Sequence, residues 1–169
     1  ILIIGGGPER NRIMRMAGDK GLANVVFGED SFGPQDLPRL MSIARAALVT
    51  LSDTPVHKLL RVAKTFPPLG CRKPVIFSGD CESGDLIRQN DCGIVVGPEN
   101  GPQLAEAIVR LADNPQEAER LSQLEEDYAH FSPVMRFTLA DPERRRFLAG
   151  RMVYRGEGYW MTVGQEGSI

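Results

Sequence analysis

Three loops in this chain hold residue types that handle anions and hydroxyls. Gly5-Gly6-Gly7-Pro8-Glu9-Arg10 follows a short apolar run. Glycines let backbone come close to a ligand, and a helix N-terminus favours negative charge. A full G-x-G-x-x-G needs glycine at position 10, where this chain has Arg10, so a dinucleotide fingerprint is weak. A tight strand-to-helix turn would use the same glycines, and both readings stay open. Ser78-Gly79-Asp80-Cys81-Glu82-Ser83-Gly84 makes a second such turn. The amides of Glu82, Ser83 and Gly84 would point outward there as a diphosphate cradle, or Ser83 or Asp80 would simply cap the helix. Asp53 and Thr54, in a third loop, suit a sugar hydroxyl or a helix cap. Lys64 suits a phosphate or plain solvent.

Other chemistries lack their residues. The chain has no serine elbow, no Walker lysine, and no nucleophile beside a base. Cys71, Cys81 and Cys92 are odd in number and lack C-x-x-C spacing, against a disulfide framework or a zinc site. Cys92 reads as a small hydrophobe before a buried strand. His57 and His130 lie far apart, so no metal is expected. Arg144, Arg145, Arg146 and Arg151 read as an exposed basic surface beside Glu143.

The elements that must position these loops follow from hydrophobic periodicity. Ile1–Ile4 reads as a strand buried on both faces. Helical spacing runs from Pro8 to Gly21, then Asn24–Phe27 reads as a strand and Asp36–Ala46 as a helix. Ala47–Leu51 is a third strand, with a helix expected over Val56–Phe66 and stopped by Pro67-Pro68. Pro74–Phe77 and Gly93–Val96 are further strands, around a helix at Asp85–Asn90. Gly101–Asp113 and Pro115–Tyr128 close the pattern as amphipathic helices. After about Phe131 the pattern decays: Asp141–Met152 could form one charged helix, and Tyr154–Ile169 has no clear period and is expected to be weakly ordered or an appendage. Strands and helices alternate, which argues for an α/β fold, a mostly parallel sheet with helices on both faces. In such a sheet ligands sit at the carboxyl ends of the strands, where Gly5–Arg10, Ser52–Lys58 and Ser78–Gly84 would lie.

Bulk composition sets outer bounds. The 169 residues suit one domain, or one domain and a tail. A net charge of −2 asks for neither nucleic acid nor an anionic membrane. No apolar run approaches the ~18 residues of a bilayer span, and no signal peptide is visible. A cytoplasmic location is expected. Opening on a core strand at Ile1, without an initiator Met, suggests a piece of a longer protein.

Several stretches resemble a known family. "IIGGGPERNRIMRMAGDKGLANVVF", "DLPRLMSIARAALVTL", "SDTPVHK" and above all "KPVIFSG…GDLI…CGIVVGPENGPQLAEAIVRLADNP" are similar to the C-terminal, donor-binding domain of group 1 (family 4) GT-B glycosyltransferases. The likeness covers Ile3 to about Ser132. It implies a Rossmann-like nucleotide-sugar-binding domain over residues 1–132, with 133–169 as a C-terminal helix and irregular tail. It implies a UDP-, GDP- or ADP-linked sugar donor, no metal, and no nucleic acid. A missing N-terminal domain would bind a glycan or lipid-linked acceptor of cell-envelope or exopolysaccharide type, and could hold the protein at the inner membrane. The fragment alone would be inactive.

On the residues, the resemblance implies donor contacts from Gly5, Gly6, Gly7, Glu9, Arg10, Asp53, Lys64, Glu82, Ser83 and Gly84. No catalytic residue is assigned. The family's ribose-binding glutamate falls at Pro67, the earlier glutamate of its E-x7-E pattern at Leu59, and the glycine of its G-K-P-V at Arg72. Two alternatives stand beside donor transfer: a degenerate, non-catalytic GT-B-like interaction subunit, motivated by Pro67 and Leu59, and a UDP-sugar 2-epimerase.

Overall fold

A computed structural model describes residues 1–31 and 36–123, and the backbone of 152–155 and 158–161. In chain order it runs β1 (Leu2–Ile3), α1 (Arg10–Asp19), β2 (Val26–Phe27), α2 (Leu37–Ile43), β3 (Ala47–Thr50), α3 (Pro55–Lys58), a 3₁₀ turn (Ala63–Thr65) and α4 (Phe66–Gly70). It continues with β4 (Val75–Ser78), α5 (Glu82–Gln89), β5 (Gly93–Val96), α6 (Gly101–Asp113) and α7 (Pro115–Ser122). A hairpin of β6 (Met152–Arg155) and β7 (Gly158–Met161) follows. The α/β class with parallel sheets stands as expected.

β3, β4 and β5 form one parallel sheet in which Val75 pairs with Ala47 on one side and Gly93 on the other. β4 is buried along its whole length. Its side chains alternate between faces, because successive strand residues point to opposite sides. Val75 and Phe77 pack with Leu69, Leu86 and Ile87. Ile76 packs with Ala107, Leu111, Ala118 and Leu121 on the other face. Helices therefore cover both sides, α4 and α5 on one and α6 and α7 on the other. β5 lies so close to β4 that a Cβ on Gly93 would collide with the Val75 carbonyl oxygen. Cys92 is fully buried beside it, and burial pushes its thiol up to about 12, as its reading as a small hydrophobe requires.

Several boundaries differ from the sequence reading. β1 pairs with β2 alone among the described residues, and Ile1 and Leu2 are about half exposed instead of buried on both faces. A two-stranded sheet has few neighbours to cover it. The helix expected over Val56–Phe66 is broken: α3 ends at Lys58, and the chain re-enters helical turns only at Ala63. Pro67 and Pro68 start α4 instead of stopping a helix. They sit in its first turn, where amide hydrogens have no intrahelical partner to lose. α2 is shorter than expected and ends at Ile43, because Ala44 is extended. The helix from Pro115 ends at Ser122, because Gln123 leaves helical geometry, and the rest of its expected run, 124–128, lies outside the described residues. So does the helix at 141–152, save for Met152, which opens β6. Part of the Gly-rich tail pairs as β6 and β7.

α4 ends in a Schellman turn. Lys73 N donates to Pro68 O, and Arg72 N donates to Leu69 O. Such a turn needs a left-handed residue at the position Arg72 fills, usually glycine. Arg72 adopts φ 53°, which strains a residue carrying a Cβ. Replacing Arg72 by glycine is expected to stabilise the fold by roughly 1 kcal/mol, a rise in Tm of about 2–4 °C. Thermal unfolding followed by circular dichroism reads this directly, and a lower Tm would show that the side chain more than offsets its strain.

Candidate functional site

The carboxyl ends of β3 and β4 carry the densest charge pairing of the described residues. β3 runs into Ser52 and Asp53, and β4 into Gly79 and Asp80. Lys58, in the last turn of α3, stands between them with Nζ 3.7 Å from Asp53 and 3.8 Å from Asp80. Arg61, in the segment between α3 and the 3₁₀ turn, forks onto the Glu82 carboxylate through Nε and Nη2. Glu82 opens α5, where a negative side chain complements the helix N-terminus. The Arg61 hydrogen bond holds the Glu82 carboxyl below its usual range and pushes the guanidinium up. Both side chains are about half exposed, so the pair is a weak, separable one.

Beneath this charged rim lies a buried latch. Ser83 is buried, and its Oγ accepts the Val62 backbone N–H at 2.7 Å. This bond explains the broken helix. Val62 gives its N–H to a residue 21 positions away instead of to a carbonyl of its own turn. Next to it, His57 Nδ1 lies 2.9 Å from the Ser52 carbonyl oxygen and 3.0 Å from Ser52 Oγ, folding the loop after β3 onto α3.

The glycine turn after β1 is built differently. Gly5 and Gly7 have φ of 107° and 137°, which residues with a Cβ rarely adopt. Arg10 is not poised for a ligand alone: Nη1 donates to Gly5 O at 2.8 Å and Nη2 to Gly28 O, with the guanidinium 5.9 Å above the Phe27 ring. It ties the turn to the end of β2. Glu9 pairs with Arg12 one turn on.

The expected site residues thus fall into two groups. Gly5, Gly6, Gly7, Glu9 and Arg10 share the turn after β1. Asp53, Glu82, Ser83 and Gly84 gather at the ends of β3 and β4, joined by Lys58 and Arg61. No described hydrogen bond or ion pair links the groups. Lys64 is exposed in the 3₁₀ turn rather than on a helix. Gly84 faces inward, since a Cβ there would meet Val95 and Phe77. Lys58 and Arg61 were not singled out from the sequence, although Lys58 closes the Ser52–Lys58 loop and Arg61 follows three residues later. Among the described residues, no group of three or more His, Cys, Asp or Glu could hold a metal ion, and no helix is long and apolar enough to cross a membrane.

In three dimensions the chain is similar to sucrose-phosphate synthase from Thermosynechococcus elongatus, with a TM-score of 0.57 at 23% identity over 72% of this chain and 31% of that one. The fold is the Rossmann-like GT-B type. In sequence, the chain is 25% identical over 122 residues to the alpha-D-kanosaminyltransferase of Streptomyces kanamyceticus, a match spanning 72% of the chain and 30% of that protein. It therefore spans under a third of the length of either. No family model matches it.

Two measurements test the site's architecture. Ser83→Ala is expected to leave the Val62 N–H without its partner, costing about 1 kcal/mol and speeding exchange of that amide. Unchanged exchange would remove the latch. For Glu82, a depressed pKa means the pair's contribution is present above the unfolded carboxylate value and lost as pH falls through the folded one. Arg61→Gln is therefore expected to raise the Glu82 pKa toward the ordinary carboxylate value in an NMR titration.

Proposed function

We propose that this chain binds the nucleotide-sugar donor of a glycosyltransferase at the carboxyl ends of its parallel strands. The observation that carries this reading is the meeting of Lys58 and Arg61 with the N-terminus of α5 beyond β4. Open parallel sheets place ligands at the carboxyl ends of their strands. Two cations held by exposed carboxylates are available to a diphosphate, which would take over their charge pairing as it binds. The relative from Streptomyces kanamyceticus is named as a sugar transferase, which agrees with a sugar donor. The glycines after β1 would let backbone approach the donor from the other group of turns.

In this reading the domain positions the donor and stabilises charge developing on the departing diphosphate. The donor is a UDP-, GDP- or ADP-linked hexose, held without a metal. Polypeptide outside residues 1–169 supplies the acceptor half, for a glycan or lipid-linked acceptor of the cell envelope or an exopolysaccharide, on the cytoplasmic side. The domain alone does not turn over. Calorimetric titration with UDP, GDP and ADP in EDTA is expected to show binding of one of them, weakened about tenfold by Lys58→Ala, the loss of one charge-assisted contact. Absence of binding by all three to the full-length protein sinks the proposal.

One observation favours a second, non-catalytic reading. Leu59 is 89% exposed and Pro67 lies in the first turn of α4, where the resemblance implies glutamates. Sugar transfer by the unaltered full-length protein would exclude it. Transfer that appears only after Pro67→Glu would establish it.

A further inference from the structure

We infer that a second anion site, for a phosphate group, lies at the amino ends of β3 and β4 and is built around Arg72. An open cavity of about 390 Å³ is found there, at the opposite end of the strands from the donor turns. Arg45 enters it from the residues before β3, and Arg72 and Lys73 from those before β4. None of the three has a described ion pair. Among the described residues, Glu119 of α7 is the acidic side chain in the cavity wall, against three cations. Ser122 adds a hydroxyl, although its Oγ donates to Glu119 O.

Three cations with no ion pair among the described residues line one cavity, and an anion between them would be attracted by all three. Arg72 points the same way independently. Its φ of 53° suits glycine, so the chain holds a guanidinium here against backbone preference. Strain kept at one position motivates a functional reading of its side chain. Guanidinium groups suit phosphate oxygens in particular, through paired donors in a planar fork. Ile43, at the rim, is 73% exposed. An apolar side chain beside phosphate-binding cations suits a lipid headgroup as well as a dissolved phosphate, and both present the same chemistry to Arg72.

The test uses residues 1–169 with two probes, inorganic pyrophosphate and vesicles of phosphatidylcholine with or without phosphatidylglycerol. Binding of at least one anionic probe is expected, with NMR shifts at the Arg45, Arg72 and Lys73 amides. Arg72→Gly is the decisive variant, because it relieves the backbone while removing the cation. It is expected to keep or raise Tm and to weaken binding about tenfold. Arg45→Gln is expected to weaken it similarly. Loss of pyrophosphate binding alone assigns a dissolved ligand, and loss of vesicle binding alone assigns a headgroup. Equal affinity in the parent and both variants, or shifts confined to the donor turns, overturns the site. Failure of nucleotide binding at the donor turns would leave this outcome unaffected, since none of its residues lies there.

Discussion

β4 is bonded to a strand on each side and packed by helices on each face, and the rest of the second half of the chain hangs on that arrangement. Its four residues have no exposed side. Each neighbour is therefore constrained twice, by the ladder and by the pleat. β5 must come close enough that only glycine fits at position 93. α4 and α5 must meet Val75 and Phe77, while α6 and α7 must meet Ile76. Once those contacts are made, the two ends of the strand become two separate surfaces.

Those surfaces differ in how their charges are balanced. At the carboxyl end, Lys58 and Arg61 are matched by Asp53, Asp80 and Glu82. The balance is local and exposed, so it costs little to rearrange. At the amino end, Arg45, Arg72 and Lys73 face Glu119 alone among the described acidic residues of the cavity wall. Among the described residues, one end is neutralised by its own carboxylates, and the other carries more cations than acids. A single overall charge of −2 conceals both.

The strand and helix alternation was legible because it rests on short-range patterns. A continuous apolar run such as Val75-Ile76-Phe77 has few alternatives to a buried strand, and Leu104, Ala107, Ile108 and Leu111 recur at helical spacing. The caps of α6 and α7 are equally local: Asn100 and Asn114 each accept an N–H three residues on. The glycines at positions 5 and 7 were legible too, since φ above 100° has few other occupants. Legibility failed where a residue's partner is distant. Arg10 looked like a ligand contact, yet it braces the turn by bonding Gly28 O, 18 residues away. Arg61 attracted no notice because Glu82, which fixes it, is 21 residues further on.

The sequence by itself determined the α/β class, the order of the elements, and the glycine-containing turns that join strands to helices. These follow from periodicity and backbone freedom, which act over a few residues. Only the tertiary structure decided that the helix after β3 breaks at Leu59. Val62 bonds Ser83, and Ser83 stands there because α5 packs on β4. Tertiary structure also decided the role of Arg72. In the sequence it was a departure from an expected glycine. In the fold it closes α4, holds a left-handed backbone, and joins two other cations around one cavity.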